Sequence, residues 1–488
     1  MTPVPPHSVP GILTTPHSAR TLLKKTSSRC PVCQAGCPAE VWKTHETTPR
    51  VFLDRVCPSH GLFSACLASD ARFYWLSRGA SDASACLSGA CGCSAAGPAP
   101  VTLGRNALSP QPPPFEKLST CLALIEIVSS CNLSCPTCYA DAPWSETPGK
   151  DSVPVADVKR RIESVIERKG GIEILQLSGG EPTLHPDFFE ILEWAQRHPK
   201  IDYTLLNTNG VRIAHDAGFA SRLAEAAKRR KVQLYLQFDG PRETGQRDLR
   251  GADLRATRRL AIERAGAMEI PTTLAMTVTA ANVDQLWESI AFGLEHPAVH
   301  GITFQPFFQS GRFAPPQARP PATTLSPERL NTADILLNAV GQSEGRLRLE
   351  DFTPLPCGDP NCATIGYLLR LPNGQGTRSI SEFLDFSQVQ GFLRDRLQYR
   401  LDDLWRCGCD SEPLGAVLKG LELHASMAFR IMVKPFMDAW TWDQDRIDRC
   451  CTHVIRPDGS LDSFCRHYAA RGPASPLASS ARLSSGAS

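Results

Sequence analysis

Short apolar runs alternate with helix-period segments between Leu122 and about Phe308. Six of these runs predict strands, at Leu122 to Val128, Ile172 to Ser178, Tyr203 to Leu206, Gln233 to Phe238, Thr272 to Thr279 and Ile302 to Gln305. The segments between them carry apolar residues at helical spacing, as at Phe188, Ile191, Leu192 and Ala195. Strands that alternate with helices indicate a parallel sheet. The pattern therefore predicts an α/β fold built from six strand-helix units.

The regular alternation stops on both sides of this region, which predicts further segments. A small metal-binding module of the zinc-ribbon or rubredoxin type is expected upstream, and the run Pro110 to Pro114 marks a linker. The end of the chain is rich in Gly, Ala, Ser and Pro, which is typical of disorder. The predicted organisation is a flexible N-terminus (1–27), the metal-binding module (28–75), a cysteine-containing linker (76–117), the strand-helix domain (118–310), a C-terminal extension (311–468) and a disordered tail (469–488).

Charge and cysteine content narrow the class of partner. The 488 residues include 52 Lys and Arg against 50 Asp and Glu, so we expect no nucleic-acid partner and favour a small-molecule substrate. Met1 to Pro10 has prolines where a signal peptide needs an apolar core, so the 19 cysteines predict metal-bound thiolates in a cytoplasmic protein. No apolar run approaches the roughly 18 residues of a transmembrane helix.

Three cysteines follow directly after the first predicted strand. Cys131, Cys135 and Cys138 lie within eight residues, so one loop presents three thiolates. Three thiolates can bind three irons of a 4Fe-4S cube and leave the fourth iron without a protein ligand. The alternatives are a structural zinc knuckle or a chance spacing, but zinc sites usually use two separated pairs of ligands. The spacing favours a reactive 4Fe-4S cluster.

Polar and small residues follow the next three predicted strands. The carboxyl ends of parallel strands meet at one rim, where chemistry collects in barrels. Two adjacent glycines after the second strand allow a close backbone approach, and the amide and carboxylate side chains can bind a cofactor or simply form turns. The candidate cofactor-binding residues are Gly179, Gly180, Glu181, Pro182, Asn207, Asn209, Gln237 and Asp239.

Cysteines outside the triplet predict further metal sites. Cys30, Cys33, Cys57 and His60 form a two-arm pattern that suits a mononuclear iron or zinc, with Cys37 or Cys66 as substitutes. The other candidate ligands, for one or two auxiliary iron-sulfur clusters, are Cys86, Cys91, Cys93, Cys357, Cys362, Cys450, Cys451 and Cys465, and Cys407 and Cys409 are alternatives.

The CxxxCxxC spacing followed by Tyr139, with the Gly-Gly-Glu-Pro segment one strand later, resembles the radical S-adenosylmethionine (SAM) superfamily. The resemblance implies a partial (β/α)6 barrel, a 4Fe-4S cluster on the three cysteines, and SAM chelated to the open iron. It also implies that Gly179 to Pro182 line the amino group of SAM and that Tyr139 packs by its adenine. An external electron donor such as ferredoxin or flavodoxin is expected.

Flanking motifs resemble one subgroup of that superfamily. Cys30-Pro31-Val32-Cys33, Ser310-Gly311-Arg312, Pro354 to Cys357 and Lys434 to Ala439 are similar to segments of the group that contains an archaeal pterin-methylating enzyme and a tetraether lipid synthase. The chain departs from this group before the barrel, because its Cys86, Cys91 and Cys93 do not keep the GCPxxCGxC spacing of those relatives.

Three functions are candidates, of which the resemblance implies the first two. The first is radical methylation of an unactivated carbon in a small, pterin-like heterocycle. The second is radical coupling of lipid alkyl chains, which needs a long apolar tunnel. The third, from another class, is a non-catalytic multi-cluster electron carrier, in which every cluster has four ligands. An enzyme that modifies a nucleic acid or a peptide remains an alternative, because a cysteine-rich C-terminal extension is also common among radical SAM enzymes that act on peptides.

Overall fold

The computed structural model describes residues 20–74, 120–145, 149, 151–313, 329–355, 358–371, 376–383 and 427–469. The predictions for Cys86, Cys91, Cys93, Cys357, Cys407 and Cys409 lie outside these residues, as do the predicted linker 76–117 and almost all of the tail. Within the described residues, no helix is both long and apolar enough to cross a bilayer.

The first described part of the chain is a four-stranded antiparallel sheet. Its strands, in the order in which they pair, are β1 (Arg20–Arg29), β2 (Gly36–Thr44), β3 (Val51–Cys57) and β4 (Gly61–Ala68). Along β3, Val51, Leu53 and Cys57 are buried on one face, which is the alternation expected of a sheet with one covered side. Strand β1 begins within residues 1–27, which the sequence analysis left outside the metal-binding module.

Six parallel strands form the centre of the second sheet. They pair in chain order and lie where the apolar runs predicted them: β5 (Leu122–Val128), β6 (Ile172–Gly179), β7 (Ile201–Thr208), β8 (Val232–Gln237), β9 (Thr272–Val278) and β10 (Val299–Pro306). The helices between them are α1 (Val155–Lys169), α2 (Phe188–Arg197), α3 (Val211–His215), α4 (Ala217–Ala227), α5 (Gln246–Arg250), α6 (Arg255–Ala267) and α7 (Leu286–Glu295). The predicted α/β fold, a partial (β/α)6 barrel, is confirmed.

Helix packing against the sheet follows the predicted apolar stripes. Val158, Ile162, Val165 and Ile166 of α1 are all buried in the main core, together with the inward residues of the strands. Burial of a side chain of this size stabilises the fold by about 1.5–3 kcal/mol. The core therefore fixes the strands whose carboxyl ends carry the candidate site.

The C-terminal extension adds strands at both edges of the central sheet. Its elements are α8 (Thr332–Gln342), β11 (Phe352–Pro354), β12 (Thr364–Arg370), β13 (Thr377–Ser379), β14 (Ala428–Val433), α9 (Gln444–Asp448), β15 (Thr452–Ile455), β16 (Leu461–Ser463) and α10 (Phe464–Ala469). Strand β14 pairs in parallel with β10, and β15 pairs in parallel with β5. Residues far apart along the chain thus meet beside the cysteine loop.

The four-stranded sheet docks on this extension through charged contacts. The Lys24 ammonium lies 2.6 Å from Asp443 and 2.9 Å from Asp445, at the start of α9. The Arg29 guanidinium lies 4.2 Å from the ring centroid of Trp442. Asp443 is fully buried, so its carboxylate needs the Lys24 partner to offset the cost of desolvation.

Candidate functional site

The loop that carries the three cysteines is tied back on itself. The backbone N–H of Cys131 donates to Pro143 O at 2.9 Å, and the Ser145 N–H donates to Cys131 O at 3.2 Å. Cys138 exchanges two backbone hydrogen bonds of 2.8 Å with Arg312. The Arg312 guanidinium also donates to Cys135 O at 3.0 Å and to Ala142 O at 2.7 Å. Arg312 therefore holds the loop at three points, a role that the sequence analysis did not assign to it.

The three cysteine thiols lie close enough to affect one another's pKa, and backbone N–H groups lie near two of the sulfurs. Leu133 N lies 3.4 Å from the Cys131 sulfur, and Ala142 N lies 3.5 Å from the Cys138 sulfur. Burial, together with the Glu181 carboxylate, raises the pKa of Cys131 to about 12. A bound cation would offset that cost, because metal ligation deprotonates a thiol outright. The donor set therefore suits iron, and hydrogen bonds to sulfur tune a cluster's potential.

A buried ion pair faces the second cysteine. Arg250 and Asp239 form two hydrogen bonds of 2.6 and 2.9 Å, and Asp239 also accepts the Thr277 N–H at 3.0 Å. Arg250 lies beside the Cys135 thiol, and its positive charge opposes the rise in the pKa of Cys135 that burial causes. Asp239, a predicted cofactor residue, thus uses its carboxylate to orient Arg250. Sequence reasoning missed Arg250.

The two adjacent glycines lie against the chain's own backbone. A Cβ on Gly179 would lie 2.0 Å from Val128 O, and a Cβ on Gly180 would lie 2.1 Å from Ser130 O. Gly180 N donates to Val128 O at 2.9 Å, and Glu181 N donates to Ser130 O at 3.0 Å. Only glycine allows the two backbone segments to lie this close together. The two glycines therefore hold the end of β6 against the segment that precedes Cys131.

The buried Glu181 carboxylate joins the carboxyl end of β6 to the carboxyl end of β7 through hydrogen bonds. One oxygen accepts the Thr183 and Thr208 hydroxyls at 2.7 and 2.8 Å, and the other accepts the Asn209 N–H at 2.7 Å. The side chain is 1% exposed, and burial raises its pKa. Pro182 follows as the first residue of a short 3-10 helix that the Glu181 side chain caps. These contacts give Glu181 a positioning role.

The ends of β7 and β8 place amides near the cysteine loop. Asn209 Nδ2 donates to Asn132 Oδ1 at 2.6 Å and lies 3.7 Å from the Cys131 sulfur. Asn207 Nδ2 donates to Ser178 Oγ at 3.0 Å and lies 3.4 Å from the Tyr139 hydroxyl. Gln237 Oε1 accepts a hydrogen bond from the buried Arg258 at 3.0 Å. Arg258 also donates to the backbone carbonyl of Asn209.

Tyr139 packs against helix α10 of the C-terminal extension. Its ring lies 4.8 Å from the ring of Tyr468 and 5.7 Å from the ring of Phe464, both on α10. Phe436 stacks on Phe464 with the ring centroids 4.1 Å apart. Burial raises the pKa of Tyr139, so its hydroxyl is a neutral hydrogen-bonding group. An aromatic layer from the C-terminal extension therefore covers this side of the cysteine loop.

The structure brings together the four predicted ligands of the N-terminal module. The ligand atoms of Cys30, Cys33, Cys57 and His60 all lie within 4.8 Å of one another. The Cys33 and Cys57 sulfurs are 3.8 Å apart, and His60 Nδ1 is 3.6 Å from the sulfurs of Cys30 and Cys57. Tetrahedral bonds of about 2.3 Å to sulfur and about 2.0 Å to nitrogen give sulfur–sulfur separations of roughly 3.8 Å and sulfur–nitrogen separations of roughly 3.5 Å. The set fits one tetrahedral ion.

The two predicted substitutes in the N-terminal module lie in different places. Cys37 is buried against Cys30 and Cys57, whereas Cys66 is part of a separate cavity wall. A hydrogen bond with His60 lowers the pKa of Cys57 to about 6, so that thiolate is favoured near neutral pH.

Cysteines of the C-terminal extension also converge. Cys362, Cys450 and Cys465 come from three separate segments. Cys450 and Cys465 are buried and Cys362 is partly buried, and the negative charge of one thiolate raises the pKa of a neighbour. Met437 N lies 3.4 Å from the Cys465 sulfur, and Arg446 Nη2 lies 3.9 Å from the Cys362 sulfur. Cys451 accepts backbone hydrogen bonds from Cys121 and Leu122 through its carbonyl, at 3.1 and 3.3 Å.

Comparisons with known proteins show what the chain is similar to. The model of the radical SAM superfamily matches residues 125–293, and that of the HMPTM N-terminal zinc ribbon domain matches residues 22–69. The chain is 26% identical over 509 aligned positions to the 7,8-dihydro-6-hydroxymethylpterin dimethyltransferase of Methanocaldococcus jannaschii, with 91% of this chain and 93% of that protein covered. It is 30% identical to the mycofactocin maturase MftC of Mycobacterium tuberculosis over 36% of this chain and 43% of that protein. The Streptococcus suis SuiB structure bound to S-adenosylmethionine aligns with a TM-score of 0.31 at 17% identity, over 38% of this chain and 40% of that one.

Proposed function

We propose that this protein, whose residues 125–293 match the model of the radical SAM superfamily, is a radical SAM enzyme that methylates a carbon of a small, pterin-like heterocycle. The observation that carries this proposal is the match to the pterin dimethyltransferase, which extends over 91% of this chain and 93% of that relative. The aligned region includes the segments on both sides of the barrel as well as the barrel itself. A radical SAM domain alone supports many reactions, whereas the accompanying domains narrow the substrate.

Cys131, Cys135 and Cys138 would hold the 4Fe-4S cluster. When bound there with SAM, the cluster would supply a 5′-deoxyadenosyl radical through one-electron cleavage of the sulfonium. The loop is fixed by Arg312 and by the contact with Gly180, so the thiols keep their positions without a flexible linker. Arg250 places a positive charge by Cys135, which favours the more negative, reduced state of a cluster.

The side chains at the carboxyl ends of β6 to β8 would orient SAM. Asn207, Asn209 and Gln237 place amide groups at this rim, each held by hydrogen bonds within the chain that leave part of its hydrogen-bonding capacity for SAM, and the Gly179 to Pro182 backbone borders it. In this proposal the Glu181 and Asp239 carboxylates act indirectly, because the chain's own donors occupy them. The aromatic layer of Tyr139, Phe464 and Phe436 excludes water from a reactive radical.

The remaining metal sites would be structural or would pass electrons. Cys30, Cys33, Cys57 and His60 fit one tetrahedral zinc or iron ion. We propose an auxiliary iron-sulfur cluster on the converging Cys362, Cys450 and Cys465, with Cys451 as a neighbour. Zinc and iron in the anaerobically purified protein can be counted directly. Replacement of Cys362 or Cys465 by Ser should lower the iron content by about one cluster and leave the zinc content unchanged.

The proposed reaction can be tested with an isotope label. The reconstituted, reduced protein is incubated with a reduced 6-hydroxymethylpterin and with SAM that carries a deuterated methyl group, and products are analysed by mass spectrometry. A pterin product heavier by a methyl-derived group, formed together with 5′-deoxyadenosine, is expected. Formation of 5′-deoxyadenosine with no modified pterin would contradict the substrate class and leave the radical SAM assignment intact.

A further inference from the structure

Two glutamine side chains lie on the inner face of the barrel. Side chains alternate between the two faces of a strand, and one face of each barrel strand packs against the helices. On β6, Leu175 and Leu177 lie in the main core with helix residues, so Gln176 between them lies on the inner face. On β10, Phe304 lies in that core, so Gln305 faces inward. Neither glutamine belongs to the cysteine loop or to the residues proposed for SAM.

Gln176 is a buried amide that the rest of the described chain leaves unpaired. The residue is 7% exposed, and its side chain forms no hydrogen bond with any described residue. Its side-chain oxygen and nitrogen both keep accessible surface, so they border open space inside the barrel. Its register neighbours on β5 and β7 are Leu124 and Leu205, whose side chains cannot pair with an amide. A buried amide without a partner is costly, so this one is placed where a ligand can pair with it.

A second polar group forms on the inner face between β8 and β10. Gln305 Nε2 donates to the Tyr235 hydroxyl at 2.5 Å, although β9 lies between their strands. Strand β9 presents the small Ala275 to this face, which leaves room for the contact. Burial raises the pKa of Tyr235 to about 12, so its hydroxyl stays neutral. The contact fixes the Gln305 amide by its nitrogen, and Oε1, which has no partner among the described residues, keeps accessible surface as an acceptor.

Two of these groups lie deeper in the barrel than the residues proposed for SAM. Gln176 comes two residues before Ser178 on β6, and Tyr235 comes two residues before Gln237 on β8. A strand rises about 3.3 Å per residue, so Gln176 and Tyr235 lie roughly 6–7 Å below that level. SAM at the rim would therefore leave the deeper groups available to a second molecule.

The chemistry of these groups favours a planar ring over an alkyl chain. A glutamine amide presents a donor and an acceptor side by side, so it forms two hydrogen bonds with a ring edge of the reverse arrangement, as glutamine does with adenine. The ring N–H, amino and carbonyl groups of a pterin form edges of this kind. A lipid alkyl chain would cover Gln176 and Gln305 without pairing them, which is unfavourable.

We propose that Gln176, Tyr235 and Gln305 bind the heterocyclic substrate by a ring edge with adjacent hydrogen-bond donors and acceptors, and that they determine specificity for it. Their role rests on the proposed function, because the ring is that of its substrate. It also separates the two candidate reactions, since the coupling of alkyl chains has no use for these groups.

Fluorescence titration of the reconstituted holoenzyme with 6-hydroxymethylpterin, in the presence of SAM and without a reductant, measures ring binding. Gln176→Met and Gln305→Met keep the length of the side chain and remove the amide. Each should weaken pterin binding about tenfold, as expected for lost hydrogen bonds in a buried site. Gln176→Met should also keep or raise the midpoint of thermal unfolding, because it removes an unpaired buried amide. A merely structural glutamine predicts the opposite pair of results.

Gln196→Met is the matched control. Gln196 is 3% exposed and lies on α2, outside the barrel, where its Nε2 donates to Ala226 O at 3.0 Å. Its replacement should lower the midpoint of thermal unfolding, because a buried hydrogen bond is lost, and should leave pterin binding unchanged.

The results distinguish this role from the proposed reaction. If the wild type binds pterin and both Gln176→Met and Gln305→Met bind it equally well, the role of these side chains is overturned and the reaction stands. If the wild type forms 5′-deoxyadenosine but binds no pterin, the substrate class and the site are overturned together. Equal weakening of SAM and pterin binding in Gln176→Met would assign the amide to SAM and overturn the site. If Gln305→Met fails to fold, Gln176→Met still decides the question.

Discussion

Replacement of Gly180 by Ala should displace the first cluster ligand without touching any cysteine. The new Cβ would lie 2.1 Å from Ser130 O and 2.6 Å from Ser129 O. Carbon–oxygen contacts normally need about 3.3 Å, so the end of β6 and the segment before Cys131 must separate by roughly 1 Å. That movement breaks the hydrogen bonds from Gly180 N to Val128 O and from Glu181 N to Ser130 O.

The size of the effect follows from those two bonds. Each buried backbone group that loses its partner costs about 1–3 kcal/mol, so Gly180→Ala should lose about 2–6 kcal/mol of the free energy of unfolding. This is a large share of the roughly 5–15 kcal/mol that stabilises a typical domain. A displacement of about 1 Å at a catalytic site can reduce the rate by about a hundredfold. We therefore expect less bound iron and much slower formation of 5′-deoxyadenosine.

Gly341→Ala is the matched control. Gly341 lies in α8, and a Cβ there would meet nothing within 4 Å, so this change should be neutral or stabilising by up to about 1 kcal/mol. The assay measures thermal unfolding, iron content and 5′-deoxyadenosine for both variants after identical reconstitution. Wild-type values of all three for Gly180→Ala would refute the view that this contact positions the cysteine loop.

Three further predictions concern side chains that support the metal sites. Glu181→Gln places an amide donor against the N–H and O–H donors that now bind the Glu181 carboxylate. The variant should therefore lose about 1–3 kcal/mol of the free energy of unfolding, measured by thermal unfolding. An unchanged unfolding curve would contradict the positioning role of Glu181. Arg250→Gln, made together with Asp239→Asn so that no buried charge is left unpaired, should lower the reduction potential of the cluster in a redox titration, because Arg250 stabilises added negative charge near Cys135. The lowered pKa of Cys57 favours its thiolate near neutral pH, so we expect a chelator to remove the ion of the N-terminal module only at acidic pH, where protons compete for the ligands. His60→Ala removes one of the four ligands together with the hydrogen bond that lowers the pKa of Cys57, so the ion should be released at a higher pH than in the wild type; an unmoved release midpoint would contradict a ligand role for His60.

The parallel strands were predictable because burial on both faces leaves continuous apolar runs. Strand β5 matches its predicted range, and β6 is one residue longer than predicted. Strands β7 and β10 are longer than predicted because residues beyond their apolar runs, such as Asn207, Thr208 and Gly301, also pair with neighbouring strands. The short strands β11, β13 and β16, of three residues each, have too few positions to show a period. Tertiary pairing, rather than local pattern, makes them strands.

The four ligands of the N-terminal module were predictable for a similar local reason. Cys30 and Cys33 lie on one turn, Cys57 and His60 lie on another, and a hairpin brings two such turns together. The convergence of Cys362, Cys450 and Cys465 could not be predicted as a geometry, because it depends on β14 and β15 joining opposite edges of one sheet. The spacing of these cysteines along the sequence does not indicate how the strands pair.

The arginines of the site were missed because their chemistry depends on distant partners. Arg250 lies beside Cys135, and Arg312 donates hydrogen bonds to the Cys135 and Ala142 carbonyls, which are 177 and 170 positions away in the sequence. Glu181 and Asp239 were predicted as cofactor residues from their place after strands, but the structure shows that Thr208, Asn209 and Arg250 occupy their carboxylates. A rim position predicts proximity to a site, whereas the hydrogen-bond partners decide the role.

Electron paramagnetic resonance of the reduced protein, recorded before and after addition of SAM, tests the central claim most directly. If Cys131, Cys135 and Cys138 hold a cluster with one open iron, SAM should bind that iron and change the spectrum, and Cys138→Ala should abolish the change. A reduced cluster whose spectrum SAM leaves unaltered, or an undiminished response in Cys138→Ala, would contradict the account.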